Sequence, residues 1–322
     1  MISLPLAIYV YFFSFILSPA FAAFVPFTLN SNNINSIMTT RSSTSATSPD
    51  PPSPVSIGFI GCGTIASAIA TGLATQTAVP IRSIAVTRRS EKKSSQLLAS
   101  FGNLVTVHEE NQEVLDRSDY IFLTVLPQQT SQVLQALSFD VNRHVLVSLV
   151  STSQLTSLQQ DSGLNNKSVF KMICLPAVAK HQGVCLLTPK QDHPVLLPLC
   201  QSLGGCVQAT DEAQMAAMMV PSGLMGSLYG VLRNNREWLV KQGVAPKDAS
   251  YLVGRYYWGM MQDAERDCDE PNRFDELVAE QTPGGLNEQA LGNLQSLGVM
   301  QSYDQVQDAM LARIQGKSDG SL

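Results

Sequence analysis

Short apolar runs alternate with amphipathic stretches along the chain from Val55 to about Asp211. Runs rich in Val, Ile, Leu and Phe predict buried strands, and apolar residues at helical spacing between them predict helices. The predicted strands are Val55–Ile60, Ser83–Thr87, Val105–Val107, Tyr120–Val125, Val145–Leu149, Val169–Met172 and Gly183–Thr188. The predicted helices are Thr64–Ala74, Glu91–Phe101, Thr130–Leu137, Thr152–Gln160 and Val195–Leu203. This alternation predicts an α/β fold with a doubly wound parallel sheet.

After residue 210 the strand pattern ends and long amphipathic stretches follow. The helices predicted there are Glu212–Gln242, Pro246–Glu265, Asn287–Leu297 and Tyr303–Gln315. We therefore expect a domain at 55–210 and an all-helical domain at 211–322. A stripe that includes Met215, Met225 and Tyr229 repeats at helical spacing, which predicts burial either in the core of one chain or in a dimer interface. The expected assembly is a homodimer or larger homo-oligomer, with the helical domain serving for dimerisation.

The first 54 residues differ from the rest of the chain. Leu4–Leu17 is almost entirely apolar and small residues follow it, which predicts a signal peptide at 1–23. This run is shorter than the ~20 residues of a membrane-spanning helix, so we expect no membrane association of the mature protein. Residues 24–54 are rich in Ser, Thr, Asn and Pro and predict an unfolded transit peptide. The junction before Phe24 is similar to plastid leaders of algae with secondary plastids, so a plastid is the expected location and secretion the alternative.

Composition narrows the possible functions. Apolar residues make up 44% of the 322 residues, which is enough for well-packed cores. The formal net charge of -5 disfavours a nucleic-acid partner, because phosphate groups repel an acidic surface. Six cysteines and four histidines are scattered without the spacing of a zinc site, so we expect free thiols and no metal.

A glycine motif follows the first predicted strand directly and opens the first predicted helix. Gly61 and Gly63 stand where a tight turn and the close approach of a pyrophosphate require glycine, and Ala66 takes the third, packing position. Thr64 and Ile65 begin the helix, whose positive end favours phosphate. These five residues are therefore predicted to bind the cofactor of a Rossmann dinucleotide-binding domain.

Arginines stand where an NAD-specific site carries an acidic residue, about 20 residues after the glycines. Arg88, Arg89 and Ser90 follow the second predicted strand, and guanidinium groups suit the 2′-phosphate of NADPH. We therefore expect these residues to bind NADPH, with NADH as a second option. The alternative is that both arginines are solvated surface charges.

The segment after the fourth predicted strand is a second candidate for cofactor contact. Thr124, Pro127 and Gln128 lie at the strand end, where a doubly wound fold forms its ligand crevice. We expect Thr124 and Gln128, beside Pro127, to contact the nicotinamide ribose. A purely structural turn is the alternative.

Four motifs recur in the order and spacing of one enzyme family. They are Ile57-Gly58-Phe59-Ile60-Gly61-Cys62-Gly63, Thr124-Val125-Leu126-Pro127-Gln128, Leu175-Pro176-Ala177 and Thr282-Pro283-Gly284-Gly285. With these motifs, the chain from Val55 to Ile314 resembles the pyrroline-5-carboxylate reductases. Many reductases share the nucleotide motifs, whereas the Pro-Gly-Gly segment before a late helix is more specific to this family.

The resemblance implies NAD(P)H-dependent reduction of a cyclic imine, 1-pyrroline-5-carboxylate to L-proline, in proline biosynthesis. It also implies that backbone amides at the start of a late helix bind the substrate carboxylate. The substrate-binding residues are then Thr282, Pro283, Gly284, Gly285 and Leu286. Proline presets the first helical turn and the glycines leave N–H groups open to an anion; a plain helix start is the alternative. Asn287 aligns with the family residue that bonds to the ring nitrogen, and it is the candidate catalytic residue.

Several family positions differ in this chain. Leu126 stands where the family has lysine, and Ile173-Cys174-Leu175 replaces a polar stretch, so polar groups on the substrate side are missing. The chain therefore leaves open a related imine reductase or β-hydroxyacid dehydrogenase with another substrate, and also a non-catalytic NADP-binding regulator. Such a dehydrogenase carries a catalytic lysine in its helical domain, and Lys241 and Lys247 lack the usual motif around it.

Overall fold

The computed structural model describes residues 53–322. The predicted signal peptide at 1–23 lies outside the described residues, as does the predicted leader at 24–54 apart from its last two residues. Within 53–322, a sheet with its flanking helices forms the first part of the chain and helices form the last part.

The sheet has eight strands in the described chain. They are β1 (Val55–Ile60), β2 (Ile81–Thr87), β3 (Val105–His108), β4 (Tyr120–Leu123), β5 (Val145–Ser148), β6 (Val169–Cys174), β7 (Cys185–Thr188) and β8 (Cys206–Gln208). Their order is β3-β2-β1-β4-β5-β6-β7-β8. The first six are parallel, β7 is antiparallel to β6, and β8 is parallel to β7. The predicted doubly wound sheet is confirmed, and its last two strands reverse because only a short 3-10 helix, Pro176–Lys180, connects β6 to β7. A parallel return needs a crossover of about a dozen residues or more.

Helices cover both faces of the sheet. They are α1 (Thr64–Thr75), α2 (Glu91–Phe101), α3 (Asn111–Asp116), α4 (Thr130–Gln135), α5 (Leu155–Ser162) and α6 (Leu196–Ser202). On one face, Ile69 of α1, Leu97 of α2 and Leu199 of α6 belong to one buried core cluster. On the other face, Leu134 of α4 and Leu158 of α5 belong to a second cluster. The parallel strands are thus covered on both sides, which explains their continuous apolar runs.

Six further α-helices follow the sheet in the described chain. They are α7 (Glu212–Met219), α8 (Met225–Lys241), α9 (Pro246–Glu265), α10 (Arg273–Ala279), α11 (Leu286–Ser296) and α12 (Val299–Ile314). A 3-10 helix, Val220–Leu224, divides the single helix predicted at Glu212–Gln242. It contains Pro221, which lacks the N–H needed to continue the α-helical ladder.

The helix α7 joins the later helices to the sheet. Its Met215 and Ala216 are buried, and the Nζ of Lys171 on β6 donates to the Oε1 of Glu212 at 2.9 Å. The same ammonium donates to the carbonyl of Ser151 at 3.2 Å. Lys171 is buried, so the Glu212 carboxylate supplies the charge partner that a buried ammonium requires.

The remaining late helices expose much of their apolar surface. No residue of α8, α10, α11 or α12, all of which the structure describes, is buried. The exposed aromatic side chains, with 49% to 68% of their surface open, include Trp238, Tyr251, Tyr256, Trp258 and Phe274. By length and composition alone, the stretch Glu212–Lys241 is also apolar enough to cross a membrane.

Candidate functional site

The predicted glycine turn lies at the carboxyl edge of the sheet, where β1 has β2 on one side and β4 on the other. Gly61 has φ +92°, and a Cβ there would lie 2.8 Å from the carbonyl oxygen of Thr124. Its N–H donates to the Thr87 hydroxyl at 2.8 Å. Only glycine satisfies both the left-handed backbone and this close approach. The strand order reverses at this point, which is where doubly wound sheets bind ligands.

The first turn of α1 is open to a ligand. Gly63 is the N-cap residue and supplies no side-chain cap, and a Cβ at Gly63 would meet nothing within 4 Å. The amides of Thr64 and Ile65 therefore begin the helix beside free space, as a pyrophosphate site requires. Ala66 is buried in the core below. These residues fit a dinucleotide, as the motif predicted.

Cys62 belongs to the core below this turn. Its side chain is buried, and burial raises the pKa of the thiol, an effect that the charge of Lys93 opposes. A neutral buried thiol behaves as a small apolar group. The middle residue of the glycine motif therefore serves packing.

Thr124 holds the glycine turn in place. Its hydroxyl donates to the carbonyl oxygen of Gly61 at 2.6 Å and lies 3.2 Å from that of Ile60. The hydroxyl is thus engaged by the loop, as the alternative of a structural turn implies, and its contact with the nicotinamide ribose stays a prediction. Pro127 and Gln128 follow in an exposed 3-10 helix, Pro127–Gln129, at the same edge of the sheet.

The two predicted cofactor arginines have different partners. The Nε of Arg88 lies 2.6 Å from the Oε1 of Glu109, so its charge is paired. The guanidinium of Arg89 donates to the Oε1 of Gln129 at 2.7 Å and lines a cavity of about 380 Å³. Ser90 is the N-cap residue of α2 and makes no side-chain cap. Arg89 is therefore the cation that faces open space, in a cavity that Glu110 also lines.

Lys93 is a cation that the sequence reasoning missed. Its Nζ donates to the hydroxyl of Thr64 at 2.6 Å, so it lies over the first turn of α1. A lysine in the first turn of α2, close after Arg88 and Arg89, was the signal available in the sequence. Three cations therefore lie near the end of β2, and two of them are free of acidic partners in the described chain.

The second predicted site is the turn before α11. Gly284 has φ +71°, and a Cβ at Gly285 would lie 2.8 Å from the carbonyl oxygen of Thr282. The Gly285 N–H donates to that same oxygen at 2.8 Å. Both glycines are therefore required by the turn itself, and Pro283 lies between them and Thr282.

The amides of this turn already have one carboxylate partner. The Gly284 N–H donates to the Oε2 of Glu288 at 2.6 Å. Gly285 is the N-cap residue of α11 and supplies no side-chain cap, so the next amides, beginning at the exposed Leu286, have no acceptor one turn back. The turn can accommodate an anion at a helix N-terminus.

Asn287 is turned toward its own chain. Its Nδ2 donates to the Oε1 of Gln281 at 2.9 Å, and the amide of Gln281 donates to the carbonyl of Leu277. The structure thus brings the predicted substrate residues into one turn, with the Asn287 amide bound to a neighbour. No hydrogen bond or ion pair in the described chain joins this turn to the cofactor crevice. Within residues 53–322, no group of His, Cys, Asp or Glu is arranged to hold a metal.

Known proteins resemble this chain in both fold and sequence. Residues 56–152 match the family model described as NADP oxidoreductase coenzyme F420-dependent. A pyrroline-5-carboxylate reductase from Haemophilus influenzae is 28% identical over 272 residues, which cover 80% of this chain and 96% of that protein.

Two solved structures share the fold over almost their whole length. A pyrroline-5-carboxylate reductase from Coxiella burnetii has a TM-score of 0.70 at 21% identity and covers 83% of this chain and 99% of its own. The Plasmodium falciparum pyrroline carboxylate reductase with NADP bound has a TM-score of 0.66 at 17% identity, covering 83% and 98%. The resemblance carried by the sequence motifs is confirmed, at low identity. The chain is therefore similar to pyrroline-5-carboxylate reductases in sequence, at 28% identity or less, and it shares the fold of two of them.

Proposed function

We propose that this protein reduces 1-pyrroline-5-carboxylate to L-proline with NADPH. The observation that supports this best is that an open dinucleotide turn and a glycine turn at a late helix N-terminus occur together in a chain that is similar to these reductases. Relatives named pyrroline-5-carboxylate reductase align with between 76% and 80% of the chain.

The residues around β2 support NADPH as the cofactor. NADPH would supply the hydride for this reaction. The open turn at Gly63 would bind its pyrophosphate, and Arg89 and Lys93 would bind the 2′-phosphate or the neighbouring phosphates. The Thr124 hydroxyl acts on the cofactor indirectly, because it fixes the Gly61 carbonyl and with it the shape of the turn.

The turn before α11 supports a substrate that carries a carboxylate. The Gly284 amide already donates to a carboxylate oxygen, that of Glu288, and the first amides of α11 offer further donors. A protonated cyclic imine is strongly electrophilic, so holding its carboxylate and orienting its ring provide most of what the protein must contribute. Asn287 can bond to the ring nitrogen only after its side chain leaves Gln281.

The exposed apolar helices support a homodimer. Trp258, Tyr256 and Phe274 each have about half or more of their surface open to solvent. Burial of apolar surface is the main driving force of association, and single chains rarely expose so much. A second copy of α8 to α11 is therefore the partner that we propose, and its turn before α11 can complete the crevice of the first chain.

Steady-state kinetics with a small substrate panel tests the proposed reaction. We expect NADPH oxidation with 1-pyrroline-5-carboxylate and much slower oxidation with 1-pyrroline, which lacks the carboxylate. The control is a β-keto acid, which a β-hydroxyacid dehydrogenase would reduce. Equal rates with both imines, or turnover of the keto acid alone, would contradict the proposed substrate. Binding of NADPH without turnover of any compound would favour the non-catalytic regulator.

A pair of glycine variants tests the carboxylate site. Gly285→Ala places a Cβ against the Thr282 carbonyl and should lower kcat/KM for 1-pyrroline-5-carboxylate while leaving NADPH affinity unchanged. Gly292→Ala on the same helix is the control, because a Cβ there meets nothing within 4 Å. If both variants keep the parental kcat/KM, the carboxylate binds elsewhere.

We also propose that residues 1–54 direct import into a plastid. The support is the composition of this segment, an apolar start followed by a Ser-rich, acid-poor stretch. A fluorescent fusion of residues 1–54 should accumulate in plastids. Fluorescence in the medium would indicate secretion and would leave the proposed reaction unaffected.

A further inference from the structure

Three cysteines lie side by side across the end of the sheet. In the strand register, Cys174 on β6 is the partner of Cys185 on β7, and Cys185 is the partner of Cys206 on β8. Strand partners point to the same face of a sheet, and Cys200 of α6 belongs to the core cluster on that face. The proposed reaction uses none of these four thiols, and all of them are free.

The pair Cys174–Cys185 has the spacing of a disulfide. The Cys185 N–H donates to the carbonyl of Gly205 on the side of β8, so the peptide groups of Cys185 point away from β6. Cys174 and Cys185 therefore form a non-hydrogen-bonded antiparallel pair, whose Cα atoms lie about 4.5 Å apart. Disulfides join Cα atoms about 4.4–6.8 Å apart.

Only one member of the cluster is open to a reagent. Cys206 is half-buried at the edge of the sheet, whereas Cys174, Cys185 and Cys200 are 8%, 0% and 1% exposed. A side-chain hydrogen bond from Cys200 lowers the pKa of the Cys206 thiol. Cys185 faces it from β7, so Cys185 and Cys200 are the titratable groups around it. Hydrogen bonds from other thiols also lower the pKa of Cys185, but Cys185 is fully buried. Nucleophilic attack requires a thiolate that the reagent can reach, so Cys206 is the member of the cluster that reacts first.

We propose that these four cysteines form a thiol–disulfide exchange site, in which Cys206 reacts with a small-molecule disulfide and the oxidation ends as a Cys174–Cys185 disulfide. The Cys206 thiolate attacks one sulfur of the small disulfide, forming a mixed disulfide and releasing one small thiolate. The Cys185 thiolate then attacks Cys206 and releases the second small thiolate. Finally, the Cys174 thiolate attacks Cys185 and frees the Cys206 thiolate. Two protein thiols are oxidised, one small disulfide is reduced, and the two thiol protons pass to the released thiolates.

The position of this disulfide would connect redox state to the ligand crevice. Cys174 is the last residue of β6 and directly precedes Leu175 and the 3-10 helix Pro176–Lys180 at the carboxyl edge of the sheet. A cross-link to β7 would restrain this strand end. The exchange itself does not depend on the proposed reaction, because its products are covalent and can be read by mass.

Non-reducing peptide mapping after treatment with glutathione disulfide tests the exchange site. The parent for all variants is Cys268→Ser, because Cys268 is exposed and reacts independently of the cluster. The parent should form the Cys174–Cys185 disulfide. Cys174→Ala should stop at Cys185–Cys206, and Cys185→Ala should stop with glutathione on Cys206. Cys206→Ser should slow every product by about tenfold or more, because it removes the accessible thiolate.

Cys200→Ala is the matched control, since it lies in the cluster but outside the exchange. It should give the parental products, only more slowly. The proposal is overturned if the parent forms no intramolecular disulfide, if Cys200 appears in the final disulfide, or if Cys206→Ser reacts at the parental rate. Should a core variant fail to fold by circular dichroism, the parent and the half-buried Cys206→Ser still decide the outcome.

Discussion

The sheet region and the late helices differ in how much of their apolar side-chain surface is buried within one chain. In the sheet, Phe59 and Phe122 stack with their ring centroids 5.1 Å apart, and both are almost fully buried within the one chain. In the late helices, Trp258 and Phe274 point to solvent. The methionine stripe divides between the two, since Met215 is buried on the sheet side and Met225 is 45% exposed. The sheet region thus buries its apolar side chains within one chain, whereas the late helices leave apolar faces exposed.

The largest expected effect contrasts two phenylalanines. Phe122→Ala removes a side chain that is 2% exposed and should lower the free energy of unfolding by about 3–5 kcal/mol, through lost burial and a cavity. Phe274→Ala removes one that is 61% exposed and should change the unfolding of the monomer by about 0.5 kcal/mol or less. Urea denaturation at low protein concentration measures both. Similar losses of unfolding free energy in the two variants would contradict the difference in burial between the sheet and the late helices.

The next effect concerns association through the late helices. Trp258→Glu should weaken the proposed dimer by about 2 kcal/mol or more, since buried aromatic residues dominate the binding energy of interfaces. Leu98→Glu is the control, because Leu98 is 44% exposed on α2 of the sheet region. Light scattering across a dilution series should show a dimer that dissociates only in the Trp258 variant. An active parent protein that remains a monomer would refute the proposed dimer.

Within the sheet region, the two arginines after β2 should differ. Arg89→Ala should raise the KM for NADPH by about ten- to a hundredfold, which corresponds to a charge-assisted contact of about 1.5–3 kcal/mol. Arg88→Ala should have a smaller effect, because Arg88 is paired with Glu109. Initial rates with NADPH and NADH measure both. A preference of the parent enzyme for NADH would show that these cations serve another purpose.

The smallest effect concerns the start of α7, where the two regions meet. The Asp211 side chain accepts a hydrogen bond from the Gln214 N–H at 2.8 Å as an N-cap. Asp211→Ala should therefore cost about 1 kcal/mol, seen as a slightly lower Tm. Gln201→Ala, at an exposed position of α6, is the control. A loss as large as that of Phe122→Ala would mean that the two regions unfold as one unit through this cap.

The sequence predicted correctly those helices and strands whose bounds depend on neighbouring residues in the chain. The strand β1 and the helices α2 and α9 have their predicted bounds, because their apolar periodicity and end signals agree. The strand β8 and the helix α3 were missed because they have only three and six residues. The reversal of β7 also has no local signal, since strand direction is set by the connection and by pairing across the sheet.

At the candidate site, too, the sequence predicted local backbone features but not contacts between distant parts of the chain. The glycine turn at Gly61 followed from sequence because its backbone demand is local. The sequence did not show which of the two arginines is without an acidic partner, because Glu109, the partner of Arg88, lies on a different loop. The hydrogen bond between the side chains of Asn287 and Gln281 likewise could not be predicted from the sequence motif. Side-chain partners are chosen in three dimensions, so the sequence indicated the residue types at the site but not their pairing.

The short edges of the sheet have a consequence for behaviour in a crowded cell. A free strand edge can recruit strands from other molecules and seed aggregates. Here the outer strands β3 and β8 have four and three residues, and Gly204 and Gly205, both with positive φ, lead directly into β8. Edge strands this short offer few free backbone groups with which a strand of another molecule could pair. Association through the β-structure is therefore disfavoured, which leaves the exposed faces of the helices as the surface for the proposed dimer.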